Sequence, residues 1–300
     1  MAAFACIKAS GMFVFFLQIH YSILLMLMSS TVPCYTQFMQ LVGILNITPD
    51  SFSDGGVNLI SEHALKNAKE LFSEGADLLD VGAESTNPKS KTLAPEEEQA
   101  RLKDILPQLL STYPGKISID TYHPETLEWA LKAGQPIVND VSGLAHKRMQ
   151  ELVAEHELTC IIGHLPIAAK GLPIVAHTVE PIDSIEQIRD ELLERTEELI
   201  KFGIHRDKII LDPNIGFGKT MRLNWQLLAF ANQVPDFPIM IGHSRKRFLG
   251  CNPETGAWLP NGQELRFTDA INQKAAQIAN DAGAAYLRVH EPRLYFAMLN

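Results

Sequence analysis

The sequence has 300 residues, of which 46% are hydrophobic and 20% are charged, so it can build a sizeable core and is not an intrinsically disordered chain. Its 26 Lys and Arg against 35 Asp and Glu give a formal net charge of −9, which argues against general nucleic-acid binding. An anionic substrate would have to be met by a few local cations, a helix N-terminus or a metal ion. The four cysteines stand at no metal-finger or redox-pair spacing, which indicates reduced thiols in a cytoplasmic protein.

Residues 1–38 form a hydrophobic N-terminal extension with an apolar run over residues 12–28. A run of about 17 residues is at the lower limit for a membrane span. Lys8 before the run and small residues after it are typical of a signal peptide, whereas the lack of arginine argues against an organellar transit peptide.

A third interpretation of this extension is a translation start at an internal methionine (Met26, Met28 or Met39). Because nothing downstream has the character of a secreted protein, we favour a non-native or dispensable prefix over a membrane anchor. The remaining residues, 39–300, are then expected to form one catalytic domain.

Eight short apolar runs follow the extension. They are rich in Ile, Val and Leu without strict polar alternation, as expected for strands that are buried on both faces. The predicted strands are Leu41–Asn46, Leu78–Gly82, Ile117–Asp120, Pro136–Asp140, Cys160–His164, Ile209–Asp212, Ile239–Gly242 and Ala284–His290.

Amphipathic helical patterns lie between these runs. Ser61 is a candidate N-cap, Pro95 followed by three glutamates is typical of a helix start, and Gly283 is a candidate C-cap. Only ten residues follow His290, and Pro292 delays a helix start, so the last helix should be short or missing. The predicted helices are Ser61–Ser73, Pro95–Leu110, Pro124–Ala133, His146–His156, Ser184–Phe202, Leu223–Asn232 and Thr268–Asp281.

Strand–helix alternation repeated eight times over about 250 residues predicts an α/β fold, a (β/α)8 TIM barrel. The alternative is an open doubly wound sheet, which is disfavoured because no Gly-x-Gly-x-x-Gly turn follows the first strand.

Nearly every predicted strand ends in a polar group, and in such barrels the chemistry lies at the carboxyl ends of the strands. A single Asp after a strand is more often a helix cap, and a lone His is more often packed, but together these ends form one ring. Acids and amides on one side and cations on the other suit a donor-rich heterocycle with an anionic tail. The strand-end groups are Asn46, Glu84–Thr86, Asp120, Asn139, Asp140, His164, Asp212, His243–Lys246, Arg288 and His290.

At these positions the sequence resembles the dihydropteroate synthases. The similarity runs in the family's order over residues 41–290, and its first and Ser-Arg-Lys segments are the most specific. The matching segments are Gly43–Gly56, Asp80–Pro88, Ser118–Thr121, Val138–Leu144, Leu211–Thr220, Gly242–Gly250 and Arg288–His290.

The resemblance implies a transferase of folate biosynthesis. Members of the family condense 6-hydroxymethyl-7,8-dihydropterin pyrophosphate with p-aminobenzoate, giving 7,8-dihydropteroate and pyrophosphate. Their mechanism is largely dissociative, so that the C–O bond to pyrophosphate breaks and the arylamine attacks a cationic pterin. The resemblance also implies Mg²⁺ as cofactor, small-molecule substrates and a possible homodimer, while the preference for a dispensable prefix leaves no membrane partner expected.

For the pterin side, the resemblance implies that Asp120, Asn139 and Asp212 bind the ring and that Lys246 contacts the pterin carbonyl or N5. Buried carboxylates can accept from the ring's N–H groups and stabilise developing positive charge. Asn46 matches the family's magnesium position. Mg²⁺ with an arginine would stabilise the leaving group without proton transfer.

For the other substrate and the leaving group, the implied contacts come from several loops. Arg288 and His290 match the pyrophosphate pair, and Ser244 and Arg245 fall where p-aminobenzoate is held. The remaining implied contacts are Thr86 in the second loop and Phe217, which could pack against a ring.

The sequence departs from the family mainly in the second loop, where Asn87 replaces an arginine that closes on the aromatic acid and pyrophosphate. Asparagine cannot supply a bidentate charge. Asn214 replaces a glycine, but asparagine is the next best residue for a left-handed turn. These departures bear on p-aminobenzoate affinity and turnover more than on pterin binding.

Two alternatives stay open at this point. One is a pterin-binding paralogue without synthase activity. The other is a methyltransferase barrel that uses a methylated folate, although those relatives lack the Ser-Arg-Lys segment and the long first loop.

Overall fold

Eight parallel strands form within the residues that this computed structural model describes, which are 39–47, 57–84 and 92–299. The strands are β1 Gln40–Asn46, β2 Leu78–Gly82, β3 Ile117–Asp120, β4 Ile137–Asp140, β5 Cys160–Gly163, β6 Ile209–Asp212, β7 Met240–Ile241 and β8 Tyr286–Val289. Their order in the sheet is β6-β5-β4-β3-β2-β1-β8-β7. A parallel bridge between Leu211 and Ile239 brings β6 to β7, and the predicted (β/α)8 barrel is confirmed.

The strand bounds agree with the prediction in the middle of the chain and are shorter towards its end. Three strands, β2, β3 and β6, have the predicted limits. The seventh was predicted as Ile239–Gly242 but keeps ladder pairing only over two residues, and the eighth loses both of its predicted ends. The carbonyl of Ile239 accepts from the N–H groups of both Ala285 and Tyr286. The regular hydrogen-bond register between β7 and β8 therefore does not extend to this residue.

Helices connect the strands in sequence. Those within the described residues are α1 Val57–Ser73, α2 Pro95–Leu102, α3 Leu106–Thr112, α4 Pro124–Ala130, α5 Lys147–Glu155, α6 Ile185–Phe202, α7 Met221–Gln226, α8 Gly262–Leu265, α9 Asp269–Asp281 and α10 Arg293–Leu299.

Two helix predictions were wrong, one for the extent of a helix and one for an N-cap. The pattern Pro95–Leu110 is two helices, because Pro107 has no N–H for the carbonyl of Lys103 and its ring would clash with that carbonyl. Ser61 is not an N-cap, since α1 begins four residues earlier at Val57.

The first residues of two predicted helices, Ser184 and His146, are N-caps in the structure. Ser184 Oγ accepts from the N–H of Gln187 at 3.1 Å and caps α6. His146 Nδ1 accepts from the N–H of Arg148 at 3.1 Å and caps α5. The last helix, α10, is present and short, and it begins directly after Pro292. Among the helices described here, none is long and apolar enough to cross a membrane.

Alternation along each strand separates two apolar layers. Side chains that point outward, such as Leu79, Ile119 and Leu211, belong to the large core between the sheet and the helices. A smaller cluster of Val42, Ile161, Ile210 and Met240 fills the inside of the barrel. Residues two positions further along the same strands therefore face inward at the carboxyl end, which is where the predicted site lies.

Candidate active site

An ion-pair cluster around Arg288 occupies the inside of the barrel. Arg288 Nε donates to Asp80 Oδ2 at 2.6 Å, and its Nη2 donates to Asp120 Oδ2 at 2.7 Å. Asn139 Nδ2 donates to the same Asp80 oxygen at 3.0 Å. Side chains from β8, β2, β3 and β4 are thereby joined, and two of the three residues predicted to bind the pterin lie together.

Burial decides the electrostatics of this cluster. It raises the pKa of Asp120 to about 7, with neighbouring Asp80 adding to the rise and Arg288 opposing it. Burial would lower the pKa of Arg288, but Asp80 and Asp120 hold it above its ordinary value. The guanidinium is therefore a permanent cation, while Asp120 changes its protonation state near neutral pH.

The third predicted pterin residue, Asp212, lies at the end of β6 beside Lys246. Burial raises the pKa of Asp212, and Lys246 is the largest opposing influence. Burial also lowers the pKa of Lys246 to about 8, and its Nζ donates to the carbonyl of Ile215 at 2.6 Å. This second acid–base pair lies on the same inner face of the barrel as the Arg288 cluster.

Asn214 fixes the turn that follows Asp212. Its φ of 49° is left-handed, as predicted for a residue that replaces glycine. Its N–H donates to Asp212 Oδ1 at 2.7 Å, and its Nδ2 donates to the carbonyl of Val141 at 2.9 Å. A Cβ at Gly163 would lie 2.3 Å from that Nδ2, so the asparagine side chain fits only because β5 ends in glycine.

The residues implied for p-aminobenzoate and pyrophosphate lie on the neighbouring loops. Ser244 Oγ is 3.0 Å from His290 Nδ1, and Arg245 pairs with Glu291. Burial lowers the pKa of His290 to about 4, and Arg245 and Arg288 add to the effect, so the imidazole is neutral at pH 7. The two loop segments 244–246 and 288–291 are thus in direct contact.

Phe217 provides an aromatic surface beside these loops. Its ring centroid is 5.3 Å from that of His177 and 5.4 Å from Lys246 Nζ. Phe217 is half-buried, so one part of the ring is available for a second aromatic group.

The sequence predicted that the polar groups at the strand ends together form one ring inside the barrel. This prediction was wrong for three of them, which point away from the inside of the barrel. His164 turns outward, where its Nε2 lies 2.8 Å from Glu191 Oε2 on α6. Asp140 Oδ1 accepts from the N–H of Ser142 at 2.7 Å and stabilises a turn. His243 is fully buried, and its Nε2 contacts the carbonyl of Asn272 at 3.1 Å.

The predicted separation of acids from cations is also not seen for Arg288, which contacts two acids directly. Asn46, the implied magnesium position, ends β1 with an exposed side chain. Thr86 and Asn87, together with the first loop over residues 48–56, lie outside the described residues.

Two residues of the site were missed from the sequence. Asp80 is completely buried and is the only charged residue in the apolar run Leu78–Gly82, a signal that could have marked it. Lys219 is also buried, and its Nζ donates to the carbonyl of His164 at 2.9 Å. Its place in a Gly-rich loop gave no sign of this burial.

The chain is similar to known proteins along nearly the whole barrel. A family profile described as pterin binding enzyme matches residues 42–290. The dihydropteroate synthase of Mycobacterium leprae (strain TN) is 34% identical over 264 residues, which cover 85% of this chain and 89% of the relative. That of Escherichia coli (strain K12) is 32% identical over 253 residues, which cover 83% and 86%.

Solved structures of dihydropteroate synthases are also similar to this chain. Dihydropteroate synthase of Xanthomonas albilineans with 4-aminobenzoic acid has a TM-score of 0.74 at 34% identity, covering 87% of this chain and 90% of that one. The same enzyme in complex with 7,8-dihydropteroate has a TM-score of 0.71 at 32% identity, covering 87% and 91%.

The profile match over residues 42–290 defines the class, since it spans the whole barrel from β1 to the end of β8. This class is the pterin-binding enzymes. With relatives 32–34% identical over most of both chains, the chain belongs to the dihydropteroate synthases, which are transferases of folate biosynthesis.

Proposed function

We propose that the chain joins 6-hydroxymethyl-7,8-dihydropterin pyrophosphate to p-aminobenzoate, using the inward-facing ring described above. The observation that carries this proposal is the set of inward-facing acceptors inside the barrel, the partly buried Asp120 and the buried Asn139 and Asp212, beside the cation Lys246. A pterin ring presents both N–H donors and a carbonyl, which this set can satisfy at once. Relatives of the chain have been solved with 7,8-dihydropteroate and with 4-aminobenzoic acid.

The carboxylates have two tasks in this chemistry. They orient the ring through its donors, and they stabilise the positive charge that develops on the pterin as the C–O bond breaks. Asp212, which Lys246 helps to keep ionised, is suited to charge stabilisation. Asp120, with its pKa of about 7, accepts best from the ring above neutral pH.

The leaving pyrophosphate would be met at the β7–β8 side. His290 is neutral and can donate a hydrogen bond, and Ser244 lies beside it. Arg288 can bind the pyrophosphate only with those N–H groups that do not already donate to Asp80 or Asp120.

The residues present also fit Mg²⁺. Magnesium is usually held by one or two protein oxygens together with substrate phosphate oxygens and waters. Asn46 offers one exposed amide oxygen at the carboxyl end of β1. When bound, the ion would neutralise charge on the leaving pyrophosphate.

The arylamine would lie between Phe217 and the Ser244–Arg245 segment. Phe217 can pack against the benzene ring, and Arg245 at the rim can attract the carboxylate of the acid. Attack of the amine nitrogen on the pterin methylene then forms the new C–N bond, and the ammonium proton passes to solvent or to the released pyrophosphate.

The direct test is turnover by the purified protein with dihydropterin pyrophosphate, p-aminobenzoate and Mg²⁺. We expect equal amounts of pyrophosphate and 7,8-dihydropteroate to appear. Pterin binding without release of pyrophosphate would instead identify a non-synthase paralogue, and methyl transfer from a methylated folate would identify the other alternative.

A variant tests the metal position separately. Asn46→Ala should raise the Mg²⁺ concentration that gives half-maximal rate by about tenfold, as expected for loss of a single ligand. Calorimetric binding of the pterin without its pyrophosphate group should be unchanged. An unaltered Mg²⁺ requirement would show that Asn46 does not hold the ion.

A further inference from the structure

The segment Ser244-Arg245-Lys246 has an unusual backbone that something must hold in place. Arg245 has a φ of 60°, in the left-handed region that non-glycine residues rarely adopt. This conformation sets the directions of the side chains on either side of it. One of these directions takes Ser244 to His290, and the other takes Lys246 to the carbonyl of Ile215.

Asn272, on α9, supplies the hydrogen bond that holds this conformation. Its Oδ1 accepts from the N–H of Arg245 at 3.1 Å. Its Nδ2 donates to the carbonyls of Arg266 and Thr268, both at 2.9 Å. Its own backbone carbonyl contacts His243 Nε2 at 3.1 Å, so one residue is tied to two positions of the segment's loop.

The side chain of Asn272 is fully used in this arrangement. Only 3% of the residue is exposed, and the other buried residues of the α9 face are the alanines Ala275, Ala276 and Ala279. A polar residue on an otherwise apolar helix face is retained only where its hydrogen bonds are satisfied. Here both donors anchor the amide to the start of α9, which leaves the oxygen aimed at Arg245.

We propose that Asn272 is a positioning residue for p-aminobenzoate, acting through the backbone of Arg245. This inference rests on the proposed function, since Ser244 and Arg245 are the residues assigned to that substrate. The effect should fall mainly on p-aminobenzoate, because Lys246 has an independent anchor at the carbonyl of Ile215. Asn272 itself would act without binding a substrate, because its buried side chain makes its hydrogen bonds to other groups of the protein.

Two substitutions at this position separate its two roles. Asn272→Ala removes the acceptor and both donors, whereas Asn272→Asp keeps an acceptor for the N–H of Arg245 and loses the donors. We expect Asn272→Ala to raise the KM for p-aminobenzoate at least about tenfold, which corresponds to about 1.4 kcal/mol, with the KM for the pterin substrate changed less than about threefold. Asn272→Asp should have a KM for p-aminobenzoate close to that of the unchanged enzyme, while its Tm stays as low as that of the alanine variant.

The neighbouring residue gives a matched control. Gln273 Nε2 donates to the carbonyl of Leu294 at 2.8 Å, on the same helix but away from Arg245. Gln273→Ala should therefore keep the KM for p-aminobenzoate of the unchanged enzyme. If Asn272→Ala does not accumulate as folded protein, Asn272→Ser serves in its place, because the serine hydroxyl is too short to reach Arg245.

The inference is overturned if KM follows Tm across the variants, if the aspartate is no better than the alanine, or if Gln273→Ala raises KM as much. These outcomes differ from a failure of the proposed function, which would appear as no turnover by the unchanged enzyme.

Discussion

Replacing Asp120 by asparagine should make the protein more stable and less active above neutral pH. The pKa of this carboxyl is raised from 3.8 to about 7, chiefly by burial, so the folded state binds the proton more tightly than the unfolded chain does. The folded state therefore loses stability as the pH rises from about 4 to about 7, and the full penalty is present above that.

The size of the effect follows from the same shift. About three pKa units at about 1.4 kcal/mol each set an upper limit of about 4 kcal/mol at pH 8. Asparagine has the same shape and carries no charge, so Asp120→Asn removes this penalty. Arg288 keeps its contact with Asp80 at 2.6 Å in the variant. We expect a gain of about 1–3 kcal/mol at pH 8 and almost none at pH 4.

Activity should change in the opposite direction. The variant has only one acceptor oxygen and no charge to stabilise a cationic pterin, so turnover should fall by at least about a hundredfold. Urea unfolding from pH 4 to 8.5, with turnover measured on the same samples, checks both effects. A variant that is less stable than the parent at pH 8 would show that Arg288 outweighs burial at Asp120, and near-normal turnover would show that the pterin site lies elsewhere.

Two further predictions concern the floor of the site and the second loop. Asp80→Ala should lower the free energy of unfolding by about 3 kcal/mol, because Arg288 and Asn139 each lose a buried partner; a loss below about 1 kcal/mol in urea unfolding would contradict this. Asn87→Arg should lower the p-aminobenzoate concentration that gives half-maximal rate, whereas Asn87→Lys, which has charge without a planar fork, should do so less; equal effects would show that bidentate geometry is not needed.

The architecture was predictable because its signals are local. Apolar runs such as Leu78–Gly82 and Ile209–Asp212 are bounded by turn residues, and their alternation with helical patterns admits few folds. The break between α2 and α3 at Pro107 was also predictable, since a proline inside a helical pattern interrupts the helix.

The composition of the site was predictable only in part. Asp120, Asn139 and Asp212 were predicted as site residues because they stand at strand ends and match a family pattern, and Lys246 because it matches that pattern in the loop after β7. Position in a strand does not say which way a side chain turns after the strand ends. His164 and Asp140 illustrate this, since His164 follows the last residue of β5 and contacts Glu191, whereas Asp140 ends β4 and stabilises a turn.

The sequence by itself determined the eightfold strand–helix repeat, the family, and part of the set of residues that line the inside of the barrel. Only the tertiary structure decided how these residues pair, because the partners are far apart along the chain and meet through barrel closure. Asp80 and Arg288 are separated by 208 positions, yet they share a hydrogen bond of 2.6 Å across β2, β1 and β8. Burial, which sets the pKa of Asp120 near 7 and that of Lys246 near 8, likewise exists only once the barrel has closed around them.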